Sequence, residues 1–278
     1  MRQLFVLALI AGLMVLPAVA QEKNYSETLP FASGQRLSVD TYKGTIHISS
    51  WERQEIEVIA SVEAPSDVDA DYARDIVDAT EVRIRQTSSG VSVKSDYDDV
   101  PSRRSGWLWG GSKTLPYVHY QIRVPRSLDL KVDDYKSDIE VYGVEGRIDL
   151  ETYKGRIESR DLAGDLRIDT YKGRVDLDAV RGGIDIETYK GTVMAQVDSL
   201  DADSRLETYK GNITLVLPSE QGLELDADLS KRADLRSDFA LTQRTRYSSR
   251  GDVRGSINGG GPRLRISSYK GDISLRQR

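Results

Sequence analysis

The chain has 278 residues, of which 38% are hydrophobic and 30% are charged, and its formal net charge is -5. These values are typical of a globular protein and do not indicate a nucleic-acid-binding protein. The sequence contains no cysteine, which excludes disulfides, thiolate metal sites and cysteine nucleophiles.

Segment 1–20 has the pattern of a secretory signal peptide. Arg2 precedes an apolar run from Leu4 to Leu16, and the small-residue site from Ala18 to Ala20 follows. The run is too short to predict a membrane span. We therefore expect an exported protein, in the periplasm or outside the cell, with no transmembrane segment after cleavage.

Residues 21–126 predict an N-terminal β region that caps the rest of the chain. Near its start, the strand-like segment from Leu37 to Ile48 matches the segment from Leu166 to Leu177 position by position. Ser66 and Asp69 resemble a capping box, which predicts one short helix from about Asp67 to Ala79. Alternation then returns over 81–94, on both sides of a Ser-Ser-Gly turn, and predicts a β-hairpin.

A long polar loop over 95–115 contains the sharpest candidate interaction surface. Aromatic and cationic side chains are concentrated there, namely Trp107, Trp109, Arg103, Arg104 and Lys113. Exposed indoles beside cations suit a membrane interface, a glycan ring or a partner protein. The alternative, which the sequence leaves open, is that the indoles plug the end of the fold and cover its edge strands.

From residue 127 to residue 278 the sequence predicts regular repeats. Glycines recur every nine residues, at Gly146, Gly155, Gly164, Gly173, Gly182 and Gly191. Alternate units end in the same motif, an acidic residue followed by Thr-Tyr-Lys, so the true period is eighteen residues. Apolar and polar residues alternate within each unit, as from Ile148 to Glu151, which predicts strands with one buried face. The predicted fold class is therefore all-β: a parallel β-solenoid of about 18-residue, two-strand rungs, with an N-terminal insertion containing one short helix.

Stacked rungs should align the Tyr-Lys motifs into a ladder with about 4.8 Å between neighbours. Its members are Tyr135, Lys136, Tyr153, Lys154, Tyr171, Lys172, Tyr189, Lys190, Tyr209 and Lys210. One interpretation is an aromatic and cationic strip for sugar rings or polyanions. We favour a structural corner in which tyrosine turns inward, because alternate units carry Leu162 and Val180 at the equivalent position. The acidic residue three positions before each lysine would then offset the repulsion between lysines.

The sequence predicts no cofactor, no metal site and no catalytic residue. Its units place aliphatic residues where calcium-binding β-rolls need glycine and aspartate. His47 and His119 lie in alternating stretches whose phase puts them on the outer face. Carboxylates on adjacent rungs leave open a polysaccharide-active β-helix, a lyase or hydrolase, but no pair can be singled out.

The motif Leu-x-Val-Asp-Thr-Tyr-Lys-Gly-x-Ile resembles a bacterial domain-of-unknown-function family of proposed adhesins. The strand from Gln121 to Pro125 and the return from Gly260 to Leu264 resemble the same family. The family is similar to the autotransporter adhesin head, or GIN, domains. The resemblance implies an exported, non-enzymatic, adhesin-like binding or structural module. The partners to expect are an envelope glycan, an anionic membrane surface or an envelope protein.

Overall fold

The structure, a computed structural model, describes residues 22–102, 113–230, 232–246 and 252–278. The expected signal peptide lies outside these residues, as do Trp107, Trp109, Arg103 and Arg104. The described chain is all-β with a single helix. None of its described helical residues forms a segment long and apolar enough to span a membrane.

The first half of the fold contains seven strands and the helix. In chain order they are β1 (Glu22–Pro30), β2 (Arg36–Asp40), β3 (Lys43–Trp51), β4 (Glu55–Glu63), α1 (Ala70–Asp78), β5 (Glu81–Thr87), β6 (Gly90–Asp96) and β7 (Tyr117–Pro125).

The second half contains β8 (Asp129–Asp134), β9 (Lys136–Tyr142), β10 (Glu145–Ser199), β11 (Ser204–Lys210), β12 (Ile213–Leu217), β13 (Leu223–Leu229), β14 (Leu235–Ser237), β15 (Thr242–Arg246), β16 (Val253–Ile257), β17 (Arg263–Lys270) and β18 (Ile273–Gln277). The long strand β10 runs through several of the repeats.

Strands of the repeat region pair in parallel with their equivalents one repeat away. Ile148 of β10 lies opposite Leu130 of β8, and Ile157 lies opposite Ile139 of β9, so both partners are eighteen residues earlier. The later step from β10 to β11 is longer, at twenty residues, because Asp185 lies opposite Arg205. Equivalent positions of successive repeats therefore face each other across the ladder.

The sheet also contains antiparallel pairs, which an all-parallel fold would lack. Strand β4 lies antiparallel to both β1 and β7, and β5 lies antiparallel to β6. Near the other end, β16 lies antiparallel to β13 and β15. The pair β5–β6 confirms the predicted hairpin, with Thr87 opposite Gly90. The sheet is therefore mixed, and the predicted regular parallel repeats of 127–278 are interrupted by the antiparallel pairs of β16.

The order of the strands in space differs from their order in the chain. Strand β2 lies between β6 and β8, and β3 lies between β7 and β9. In the same way β17 lies between β11 and β13, and β18 lies between β12 and β14. The first and last copies of the Tyr-Lys repeat are therefore enclosed by strands from elsewhere in the chain.

The helix confirms the predicted element with shifted bounds. It begins at Ala70, and the side chain of Asp69 caps it by accepting a hydrogen bond from the Tyr72 amide at 3.0 Å. The N-cap is thus Asp69 rather than Ser66. Ile76 and Val77 are buried, so the helix packs one apolar edge onto the sheet.

One core runs through the stacked strands. The alternation places Ile148, Leu150, Ile168 and Ile186 inside with at most 1% exposure. Burying an aliphatic side chain of this size stabilises a fold by about 1.5–3 kcal/mol. Close packing also constrains the corners: a Cβ atom at Gly182, whose φ is +118°, would collide with the carbonyl oxygen of Gly164.

Candidate binding groove

Seven tyrosines stack into one continuous column, which we call the tyrosine ladder. Neighbouring ring centroids lie 4.7–4.9 Å apart with interplanar angles of 3–12°. The members are Tyr42, Tyr135, Tyr153, Tyr171, Tyr189, Tyr209 and Tyr269. The spacing equals the distance between hydrogen-bonded strands, so the backbone register sets the stacking.

The tyrosine side chains point outward, and the prediction that they turn inward at the corner is wrong. Their exposed fractions are 37–45%, whereas Thr152 and Thr188 beside them are 2% and 3% exposed. The alternation of the strand continues through this position, so threonine takes the inner site and tyrosine the outer one. Because each inner ring is covered by a neighbour on both faces, the ladder presents mainly ring edges to solvent.

The lysines that follow the tyrosines lie along one side of the ladder. The Nζ atoms of Lys172 and Lys190 lie 5.4 and 5.3 Å from the centroids of Tyr171 and Tyr189. At the first repeat, the Lys43 Nζ lies 4.1 Å from the centroid of Tyr117 instead. Partial burial, together with the positive charge of Lys136, lowers the pKa of Lys43.

A row of carboxylates lies on the other side of the ladder. It comprises Asp133, Glu151, Asp169, Glu187 and Glu207, and strand pairing places Glu151 beside Asp133 and Glu187 beside Glu207. We call it the carboxylate row.

Among the described residues, the carboxylate row forms no close ion pairs with the lysines whose repulsion it is expected to offset. In the described part of the chain, no ion pair within 4.0 Å joins the row to a lysine of the Tyr-Lys motifs. Asp169 pairs instead with Arg167 at 3.0 Å, and Glu207 pairs with Arg205 at 2.5 Å. These arginines precede their partners by two residues and thus share the outer face of the strand, whereas the lysines lie beyond the inward-facing threonine and the tyrosine.

A groove runs between the tyrosine ladder and the carboxylate row. Its central part has a volume of about 460 Å³ and extends from Asp133 and Tyr135 to Glu187 and Tyr189. The groove continues from Glu187 and Tyr189 into a wider end pocket of about 820 Å³, which reaches Tyr269. We call these two parts the central groove and the end pocket. Together they offer an extended surface with aromatic edges on one wall and carboxylates on the other.

Asp134 is the carboxyl that lies deepest beneath the central groove. Burial raises its pKa, although it accepts hydrogen bonds from the amide and hydroxyl of Ser137, both at 2.6 Å, and from the Thr152 hydroxyl at 2.8 Å. Both carboxylate oxygens are therefore engaged within the fold. This arrangement indicates a structural role rather than catalysis.

The remaining residues singled out from the sequence lie away from the groove. Lys113 is exposed and its Nζ donates to the carbonyl oxygen of Asp98 at 3.0 Å. The ring of His47 contacts Glu140 at 3.0 Å, and that of His119 lies 3.7 Å from Glu63. Both histidines thus make contacts on the outer surface. No group of three or more potential metal-binding side chains occurs within the described ranges.

Sequence reasoning missed the end pocket. Its lining includes Leu229, Ser230 and Arg232, which belong to a segment without the Tyr-Lys motif. Only strand register brings them beside Tyr269, so no local pattern could have identified them.

Comparison with known proteins gives a family and several remote structural neighbours. No match was found among curated proteins. The chain is similar to a proposed cell-adhesion protein from Clostridium sporogenes, with 11% identity, 93% of this chain and 100% of that chain covered, and a TM-score of 0.36. It is also similar to a proposed adhesin from Bacteroides fragilis, with 9% identity, coverage of 92% and 97%, and a TM-score of 0.38. A proposed adhesin from Parabacteroides merdae shows 11% identity, coverage of 91% and 96%, and a TM-score of 0.40. At these scores the neighbours carry no argument about function.

The family match extends over nearly the whole chain. The sequence profile of the Toastrack DUF4097 family, a domain of unknown function, matches residues 20–276. The chain therefore belongs to the Toastrack DUF4097 family.

Proposed function

We propose that this protein is an exported, non-enzymatic, adhesin-like binding module of the cell envelope, and that it holds an extended glycan along the central groove. The groove between the tyrosine ladder and the carboxylate row is the observation that carries the proposal. The signal-peptide pattern of segment 1–20 supports export.

The proposal treats the parallel part of the sheet as a solenoid of 18-residue rungs. The pairing of Ile148 with Leu130 and of Ile157 with Ile139 supports this description. A repeated rung offers the same set of groups at every step of about 4.8 Å. A linear polymer can contact several steps at once, so that weak contacts add to a useful affinity.

The chemistry of the two walls suits a carbohydrate. Carboxylates such as Glu151 and Glu187 line one wall and accept hydrogen bonds from sugar hydroxyls. The edges of the tyrosine rings form the other wall and supply apolar surface. An anionic membrane surface is a weaker candidate for this face, because the carboxylate row would repel it.

A glycan-cleaving enzyme is the second candidate, and the distribution of carboxylates argues against it. Glycosidases need two carboxyl groups facing one scissile bond across a gap of roughly 5–9.5 Å. Here the carboxylates repeat along one wall, and Asp134, whose pKa is raised, has its oxygens occupied by Ser137 and Thr152.

The test is binding of soluble linear polysaccharides to the chain 21–278, measured by calorimetry. The series should include neutral, uronic-acid and N-acetylated polymers of increasing length. The double change Glu151→Gln, Glu187→Gln should weaken binding at least tenfold. The matched control Asp149→Asn, on the outer face of the same strand, should bind as the wild type does.

Two results would reject the proposal. One is equal binding by the groove variant and the wild type. The other is release of new reducing ends during incubation, which would favour the enzyme.

A further inference from the structure

Among the described residues, a further ring covers one end of the tyrosine ladder and none covers the other. At the N-terminal end the ring of Tyr97 packs edge-on against Tyr42, with centroids 6.3 Å apart and an interplanar angle of 71°. At the C-terminal end Tyr269 stacks on Tyr209 at 4.8 Å. Tyr269 is also the most exposed ring of the ladder, at 45%.

A serine stands where the next ladder ring would be. The pairing of β13 with β17 places Leu229 opposite Ser268, so Ser230 falls opposite Tyr269. Hydrogen bonds hold this register: the Ser230 amide donates to the Ser268 carbonyl at 3.2 Å, and the Ser230 hydroxyl donates to the Tyr269 carbonyl. The ladder position directly after β13 is therefore occupied by a small side chain in place of a ring.

The end pocket lies at this missing position. Its volume of about 820 Å³ is within the range of small-molecule sites, which is roughly 300–1,000 Å³. Tyr269 and Leu229 supply apolar surface, and Glu207 and Arg232 supply polar groups around it, whereas the Ser230 hydroxyl is engaged with the Tyr269 carbonyl.

We propose that the end pocket binds one pyranose ring of a glycan, stacked on the outer face of Tyr269 in the vacant ladder position. A sugar ring has an apolar face and a perimeter of hydroxyls. It can cover the tyrosine while its hydroxyls bond to the polar groups of the pocket. A purely aromatic ring would fill the same space but has no perimeter of hydroxyls to bond to those polar groups.

This inference rests on the proposed function, because the end pocket continues the central groove through Glu187 and Tyr189. It adds a defined terminal site for a single ring. A chain end bound there would align the rest of the glycan with the rungs.

The experiment fills the vacancy with the ring that the other repeats carry. Ser230→Tyr extends the ladder by one residue of the chain itself, and Ser230→Ala is the matched control because it also removes the serine hydroxyl. The probes are methyl pyranosides of neutral, N-acetylated and uronic type, together with p-cresol as an aromatic ring. Binding is followed by the backbone amide chemical shifts of Leu229 and residue 230, which line the end pocket and which every variant retains.

The wild type and Ser230→Ala should bind at least one methyl pyranoside, with a Kd on the order of millimolar for so small a ligand. Ser230→Tyr should bind it at least tenfold more weakly without a lower melting temperature. Equal binding by Ser230→Tyr and the wild type would overturn the inference. Binding of p-cresol in preference to every pyranoside would overturn it as well.

Further variants cover the case in which Ser230→Ala also loses binding. Tyr269→Phe keeps the ring face and should bind as the wild type does, whereas Tyr269→Leu should bind at least tenfold more weakly. Equal behaviour of these two variants rejects the site. If polysaccharides bind in the central groove but no methyl pyranoside binds to the wild type, only this inference fails. If neither binds, the proposed function fails too.

Discussion

Thr152 donates its hydroxyl hydrogen to the carboxylate of Asp134 across two neighbouring repeats, with Oγ1 and Oδ2 2.8 Å apart. The two residues occupy the same inward-facing corner position, eighteen residues apart. Later repeats carry threonine at this position, and the hydroxyls of Thr170, Thr188 and Thr208 are buried without a hydrogen-bond partner in the described part of the chain. The corner therefore combines a satisfied polar pair with several unsatisfied hydroxyls.

Thr188→Val should be neutral or stabilise the protein by up to about 1 kcal/mol, because it replaces a buried unpaired hydroxyl with a methyl group of the same shape. Thr152→Val should destabilise it by about 1–3 kcal/mol, because Asp134 loses a donor. Urea denaturation of both variants measures the difference. A greater loss in Thr188→Val than in Thr152→Val would contradict the assignment.

The stability of the protein should depend on pH through Asp134. Its pKa is raised by burial, so folding favours the protonated carboxyl. The resulting contribution to stability is present below the unfolded pKa of 3.8 and is lost as pH rises through the folded pKa.

The matched variant is Asp134→Thr, which restores the threonine of the other repeats. Its stability relative to the wild type should increase as pH is raised from about 3 to 7, measured by urea denaturation at each pH. A difference that stays constant with pH, or changes in the opposite direction, would show that Asp134 does not titrate in this way.

Ile186→Asp should unfold several repeats, because it places an unpaired charge at a position with 0% exposure. We expect a loss of several kcal/mol and a melting transition lowered by more than 10 °C. Asp149→Ala should change stability by less than about 0.5 kcal/mol, because the residue lies on the outer, partly exposed face of the strand. Similar thermal melts for the two variants would contradict the assignment of faces.

The double change Trp107→Ala, Trp109→Ala tests the loop outside the described residues. If the loop is an interaction surface, the variant should melt like the wild type but no longer associate with envelope fractions. If the indoles cap edge strands, it should aggregate. If both melting and fractionation are unchanged, the loop is neither an interaction surface nor a cap of the edge strands.

Much of this structure follows from local periodicity, and that part could be predicted from the sequence. Alternation assigned Ile168 and Ile186 to the core, and the 18-residue repeat predicted which positions face each other in β8 and β10. The helix and the β5–β6 hairpin also depend on nearby residues, through capping and turn formation. Such features depend on contacts within one strand or between neighbouring repeats.

Only the tertiary structure determined how the stack is completed and where the end pocket lies. The enclosure of β2 between β6 and β8, and of β17 between β11 and β13, joins segments whose spacing in the chain follows no repeat. Ser230 and Tyr269 are 39 residues apart and become neighbours only through the register of β13 with β17. Backbone hydrogen bonding pairs these strands whatever their outward side chains are, so neither sequence pattern nor composition reveals the vacant ladder position that their pairing creates.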